Sequence, residues 1–324
     1  MRAPSAIRVA SAVVLAILAT LPRVAVAHDD LDRQVEELTR QIELRPEEAS
    51  FFLRRAELQR FLHRWDAGVA DLQSAQRLDP DLAAVDLALA GLLLDGDNPQ
   101  AAVAAVDRFL ARQPDHSAAH LLRARILLRL GSRLGAAAAF TRGIELARRD
   151  GGAAAGQPDD YLDRARALAA EGGSYVDVAL SGLDEGLVAL GQPVTLQLLA
   201  VELEANRAHW SAALDRLAVI EARAHRKETW TARRADLLVR AGRSEEGKRA
   251  YRDALAAIEA LPAGLRSTRA TGKLADYVRS RLAELGSPAS GEAAAEDSST
   301  AAFLHADAIA LGPVLPPNRR HPSP

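Results

Sequence analysis

The chain has 324 residues, of which 48% are hydrophobic and only 4% aromatic, and it contains no cysteine. The missing cysteine excludes disulfides, thiolate metal sites and lipid attachment through a cysteine. The formal net charge of −2 leaves no basic surplus of the kind that nucleic-acid-binding proteins carry, so we expect no nucleic-acid partner.

The first 27 residues have the features of a secretory signal peptide. Arg2 and Arg8 lead into an apolar run from Val9 to Leu21, and Ala25-Val26-Ala27 offers small residues for cleavage. The run is short for a membrane span, so we expect no stable membrane insertion after cleavage. We therefore predict cleavage after Ala27 and a bacterial exported protein, periplasmic or secreted. An uncleaved membrane anchor is the alternative.

Residues 28–48 are predicted to form an N-terminal helix. Apolar side chains recur at spacings of three and four from Leu31 to Ile42, which is the period of a helix with one buried face. We place this helix at Leu31 to Leu44, and Pro46 ends it. It corresponds to the second half of a repeat whose first helix is missing.

Residues 49–150 repeat with a period of 34 residues. Pro46, Pro80 and Pro114 stand 34 residues apart, as do two sets of small residues: Ala56, Ala90 and Ala124, and Gly68, Ala102 and Ala136. The period predicts three helix pairs. We expect the small residues to lie where the two helices of a pair cross, because a larger side chain would separate the backbones there.

The rest of the chain keeps this pattern less regularly. Gly151 to Pro158 is predicted to be an inserted loop, residues 159–265 to form three degenerate helix pairs, and residues 266–285 to form a capping helix. Residues 286–324 are rich in Gly, Ser, Ala and Pro, which is typical of a disordered tail. Within this tail, Ala301 to Leu311 is an apolar patch, interpreted as a weak transient helix or a docking motif.

The best repeat resembles the tetratricopeptide family. The residues that carry the resemblance are Phe52, Ala56, Gly68, Leu72, Ala75 and Pro80. The later repeats depart from the pattern, with Asp86 in place of the large apolar residue and Phe109 and Gly143 in place of the last alanine. The resemblance covers most of residues 28–285. It implies an all-α, right-handed superhelical array of antiparallel helix pairs with terminal capping helices, which binds a protein or peptide partner.

In this family the ligand normally binds the concave face, which the first helices of the pairs line. Projecting the repeat onto the chain predicts the following side chains there: Glu57, Arg60, Phe61, Leu87, Leu121, Arg125, Arg129, Arg166, Glu204, Asp236 and Arg240. Arginines beside apolar side chains can hold a peptide through burial and charge-assisted hydrogen bonds. Solvated helix residues are the alternative interpretation of each position.

One arginine has a structural prediction of its own. Arg55 precedes the small crossing residue of its helix, and Asp71 lies on the helix that follows. We predict a salt bridge between them, with the arginine stem packed and its head paired.

No catalytic motif was found, so we expect neither enzyme activity nor a cofactor. His116 and His120 have the spacing of a metal pair, but surface histidines are the more common outcome. His28 would become the new N-terminus after cleavage and offers a second, weaker metal hypothesis. The main prediction is thus an exported scaffold or adaptor. The alternative is an accessory subunit of an exported enzyme or assembly complex, linked to a metal through His28.

Overall fold

The computed structural model of the chain describes residues 22–149 and 156–286, and every regular element in these ranges is a helix. The helices are α1 Pro22–Leu44, α2 Ala49–Phe61, α3 Trp65–Leu78, α4 Ala83–Asp95, α5 Pro99–Arg112, α6 Ser117–Arg129, α7 Arg133–Arg149, α8 Pro158–Ala169, α9 Tyr175–Ala189, α10 Val194–Asn206, α11 Trp210–Arg223, α12 Glu228–Arg240, α13 Ser244–Glu259, α14 Ala263–Arg266 and α15 Arg269–Gly286. The predicted all-α class is therefore confirmed.

Consecutive helices pack as pairs. The packed pairs are α2 with α3, α4 with α5, α6 with α7, α10 with α11 and α12 with α13. A three-residue turn joins the helices of each of these pairs, which makes the two helices antiparallel. This confirms the predicted array for five of the six helix pairs, all but the fourth, and the prolines and alanines of the sequence indicated its period.

The turns share one backbone geometry. The second turn residue has a positive φ in all five pairs: His63, Asp97, Gly131, Ala208 and Gly242. The N–H of the third turn residue then donates to a carbonyl of the preceding helix, as Arg64 does to Gln59 at 2.9 Å. This is the Schellman ending of a helix, and it satisfies carbonyls that the helix end would otherwise leave without a donor.

Small residues lie at the helix crossings of the first three pairs. Ala56 is 1% exposed and its equivalents Ala90 and Ala124 are fully buried. A Cβ atom on Gly68 would lie 2.3 Å from Leu92 Cδ1, so the glycine leaves room for that leucine. The role predicted for these small residues is confirmed by their burial.

Three details differ from the predictions. The first helix begins at Pro22, nine residues before the predicted start at Leu31. The short helix α14 was not expected. The twelve-residue offset between Ala56 and Gly68, applied to Ala200, predicts Ala212 as the small residue of the fifth pair, but the buried residue is Ala213 and Ala212 is partly exposed. Ala200 is the seventh residue of α10, whereas Ala56 is the eighth of α2, so a fixed offset of twelve falls one residue short.

The chain divides into two compact units, Met1–Gly172 and Gly173–Pro324. The division falls at Gly172-Gly173, in the segment of the chain between the end of α8 and the start of α9. In the first unit an apolar core extends from Ala49 to Ile126. In the second unit one core joins α10 to α12, and another joins α12 and α13 to α15.

Several predicted segments lie partly or wholly outside the described residues. They are the greater part of the signal peptide, most of the loop after α7 and nearly all of the C-terminal tail with its apolar patch. Among residues 22–149 and 156–286, no helix has the length and apolar content needed to cross a membrane.

Candidate functional site

The first helices of the first unit present three rows of side chains. Helix α2 packs against α4, and α4 packs against α6. Because the repeat is 34 residues long, equivalent positions on these helices form rows, which we call the first-helix face. The rows are Glu57, Gly91 and Arg125; Arg60, Leu94 and Leu128; and Phe61, Asp95 and Arg129.

Arg60 crosses from α2 to α4 on this face. Its Nε donates to Asp95 Oδ2 at 2.5 Å, although both side chains keep about two fifths of their area exposed. The guanidinium passes over Gly91, where a Cβ atom would lie only 2.9 Å from Arg60 Nη1. The glycine therefore makes room for an ion pair between neighbouring repeats.

The other two predicted arginines of this face are paired in the same way. Arg129 donates to Asp97, in the turn that ends α4. Arg125 donates to Asp160 Oδ1 of α8 at 2.8 Å, and Asp160 is only 1% exposed. The other oxygen of Asp160 accepts from the backbone N–H of Gln157 at 3.0 Å. Each arginine is thus already neutralised by an acid from an adjacent repeat.

Phe61 and Glu57 are the exposed, unpaired members of the predicted set in this unit. Phe61 exposes 68% of its surface, and Glu57, one turn earlier on α2, is also exposed. Leu94 and Leu128 in the middle row are partly exposed. The face therefore presents an aromatic side chain and two leucines beside the unpaired carboxylate of Glu57 and three arginines that are paired with acids.

The two predicted leucines, Leu87 and Leu121, are partly exposed and also pack against neighbouring helices. Leu87 is partly buried against the core of the first unit. Leu121 lies against Gly143 of α7, where a Cβ atom would come within 2.7 Å of Leu121 Cδ2. This contact also explains why glycine stands where the family pattern has alanine.

Arg166 and Arg240 are exposed, and each has a partner. Arg166 pairs with Asp163 on its own helix at 3.4 Å. Arg240 lies over the ring of Trp210, 5.4 Å from its centroid, and donates to Asn206 at 3.4 Å.

Two predicted acids of the second unit are buried. Glu204 is 8% exposed and contacts His209 Nδ1 at 3.1 Å and Arg216 Nε at 3.6 Å. Asp236 is 3% exposed and accepts from Tyr251 and Tyr277. The structure thus places both carboxylates in helix packing instead of on a ligand surface.

The two histidines with metal spacing have separate roles. His116 Nδ1 accepts from the backbone N–H of Ala119 and caps α6, whereas His120 Nε2 contacts the carbonyl of Pro114 at 2.8 Å. In the described part of the chain, no three His, Cys, Asp or Glu residues are grouped as metal ligands. The role proposed for His28 stays a prediction.

Sequence reasoning missed a groove in the second unit. It has a volume of about 530 Å³ and lies between α11, α12 and α13. Side chains at helical spacing form its walls, namely Ser211, Leu214, Asp215 and Ala218 on α11 and Glu246, Arg249, Ala250 and Asp253 on α13. The spacing was visible in the sequence, but these are second-helix positions, which the projection onto first helices left out.

Comparison with known proteins finds no matching family model and no matching curated protein. Solved structures with similar arrangements include YrrB, described as a TPR protein with an unusual peptide-binding site, at 19% identity and a TM-score of 0.47 over 57% of this chain and 90% of that one. A tetratricopeptide repeat protein from Parabacteroides merdae is 13% identical, with a TM-score of 0.47 over 78% of this chain and 94% of that one. MamA is 17% identical, with a TM-score of 0.44 over 50% of this chain and 89% of that one.

Proposed function

We propose that this chain is a scaffold that binds a peptide or protein segment on the first-helix face of its first unit. The exposure of Phe61 supports this most directly, since 68% of a large aromatic side chain faces solvent on a helix that is otherwise well packed. Burying such a ring against a partner contributes about 1.5–3 kcal/mol. Aromatic side chains of this kind are frequent anchors in protein interfaces.

The same face defines the chemistry of the ligand. Arg60, Arg125 and Arg129 are paired with Asp95, Asp160 and Asp97, so an acidic ligand would first have to break these ion pairs. Apolar side chains meet no such cost and add to the area that Phe61 and Leu94 can bury. The ligand we propose is therefore a neutral segment with apolar anchors.

Peptide selection on the full-length chain tests this proposal. Peptides from a displayed random library are selected, and the affinity of the recovered sequences is measured by fluorescence anisotropy. We expect neutral, apolar peptides whose affinity changes little when the salt concentration is raised, because screening acts on exposed charges. Phe61→Ser should raise the dissociation constant by about tenfold or more, because the ring can no longer be buried.

Leu78→Ser is the matched control, since Leu78 is 41% exposed but lies on the second helix α3. It should leave the affinity unchanged. Recovery of acidic peptides whose binding falls steeply with salt would contradict the proposed ligand chemistry. Equal losses in the two variants would contradict the proposed face.

We further propose that the scaffold acts outside the cytoplasm, on the basis of the signal-peptide pattern in residues 1–27. Cleavage after Ala27 would remove the first six residues of α1. N-terminal sequencing of the protein from the exported fraction should begin at His28. An intact N-terminus in a membrane fraction would instead favour the anchor.

A further inference from the structure

Asp236 joins three helices in the second unit. It lies on α12, and its Oδ1 accepts hydrogen bonds from Tyr251 of α13 and, at 2.7 Å, from Tyr277 of α15. The side chain is almost completely inaccessible to solvent, and Oδ2 is buried without a hydrogen-bond partner. Ionising a buried carboxyl costs free energy, because water cannot solvate the charge. The neighbouring donors replace this solvation only in part, since one oxygen has no hydrogen-bond partner.

The surroundings of Asp236 have opposing effects on the pKa of its carboxyl. Arg233 of α12 and Arg281 of α15 favour the charged form, and Arg281 is itself paired with Glu284 at 2.6 Å. Burial opposes them and is the larger effect, so the pKa of Asp236 is raised above its ordinary value. Burial, and then the nearby carboxylate, also raise the pKa values of Tyr251 and Tyr277, which therefore remain hydrogen-bond donors.

Apolar side chains and one hydrogen bond at its beginning also hold helix α15 to the unit. Leu274, Ala275 and Val278 pack it against the core that α12 and α13 share. Thr271, at its beginning, accepts from Arg226 at 3.0 Å. Tyr277 is the residue through which α15 reaches the buried carboxyl, so the charge of Asp236 bears directly on how firmly this helix is docked.

We propose that Asp236 is a pH-sensitive latch for the last helix: the neutral carboxyl keeps α15 docked, and ionisation weakens the docking. When α15 leaves, the carboxyl regains water and its ordinary titration. The latch therefore stabilises docking below the ordinary pKa of a carboxyl, and this contribution is lost as the pH rises through the raised value. Between these limits the fraction of undocked helix should grow by up to about tenfold per pH unit.

Hydrogen exchange of the full-length chain tests the latch. Protection of the α15 amides is followed across the acidic to neutral range, with intrinsic exchange rates divided out at each pH. Protection should fall as the pH rises in the natural protein and stay level in Asp236→Asn. Asp276→Asn, at an exposed acid of the same helix, should retain the natural response.

Tyr277→Phe provides a second test that does not depend on the folding of Asp236→Asn. Loss of a donor to the charged oxygen should move the fall in protection to higher pH. An unchanged midpoint in Tyr277→Phe overturns the latch. It is also overturned if Asp236→Asn folds and shows the same fall as the natural protein, or if protection increases with pH.

Discussion

Arg55 connects three helices through one guanidinium. Its Nε and Nη2 donate to the two oxygens of Asp71 at 2.8 and 2.6 Å, and Nη1 donates to Thr39 Oγ1 of α1 at 2.9 Å. The pair is largely buried, with side-chain exposures of 18% and 8%. The salt bridge predicted from the sequence is thus confirmed. It also attaches the N-terminal helix α1 to the first helix pair.

Replacing Arg55 by methionine should lower the free energy of unfolding by about 2 kcal/mol, because Asp71 would stay buried without its partner. Urea denaturation followed by circular dichroism measures the change. Arg33→Met is the control, since Arg33 and Asp30 form an exposed pair within one helix. A loss in Arg55→Met no larger than in the control would show that the buried pair adds nothing.

The partners of the buried carboxylate of Asp86 could not be predicted from the sequence. It occupies a position that normally holds a large apolar residue, yet it is only 1% exposed. Arg108 contacts it at 2.8 Å, Arg112 at 3.8 Å and Gln76 at 3.3 Å. The departure from the repeat pattern was visible in the sequence, but the partners depend on which long side chains reach the carboxylate after packing.

The three-residue turns determine how each helix pair closes. The left-handed residue is His63, Asp97 or Gly131 in the first three pairs and Ala208 or Gly242 in two later ones. Histidine and aspartate enter this region more readily than most residues, whereas alanine does so at a steric cost. The position requires a positive φ, which glycine adopts without steric cost and which alanine adopts only under strain.

Ala208 and Gly242 allow a reciprocal test, since they occupy the same turn position with φ of 57° and 75°. Ala208→Gly should raise the free energy of unfolding by about 0.5–1 kcal/mol, because it removes left-handed strain. Gly242→Ala should lower it by a similar amount, about 1 kcal/mol. Chemical denaturation measures both. Changes of the same sign in both variants would contradict the shared geometry.

Helix bounds were largely predictable because apolar spacing and turn residues are local properties of the sequence. In the sixth pair, for example, the apolar spacing and the turn at Gly242-Arg243 predict helices that begin at Glu228 and at Ser244, and both helices begin at those residues. The start of α1 was not predictable in this way, since the apolar signal-type segment ahead of it obscured the helical period. The offset of twelve led to Ala212 because it was counted from Ala200, which lies one residue before the position in α10 that corresponds to Ala56.

Across the molecule, ion pairs connect one repeat to the next. Arg60 with Asp95 and Arg125 with Asp160 do so in the first unit, and Arg216 with Asp184 at 2.6 Å does so in the second. In a repeat protein the interfaces between neighbouring repeats contribute to stability, and exposed ion pairs supply only a small part of that contribution. They also change the predicted site, because arginines expected to hold a ligand already have acids as partners.

The repeat period therefore predicted which residues form the first-helix rows. It did not predict which of their charged side chains form ion pairs. A spacing near one repeat, as between Arg60 and Asp95, brings two side chains to adjacent helices. Whether the two side chains form an ion pair depends on local packing, such as the space beside Gly91 that the guanidinium of Arg60 occupies. The side chains of these rows that remain available to bind a partner are Phe61 and the partly exposed leucines.

Site-specific photo-crosslinking from Phe61 is the most direct test of this binding face. A benzoylphenylalanine replaces Phe61 in the full-length protein, and a second sample carries it at Leu78 on α3. We predict a covalent adduct with one defined partner or selected peptide at position 61, abolished by excess unlabelled peptide, and none at position 78. An adduct with that same ligand at position 78 and not at position 61 would contradict a ligand site on the first helices.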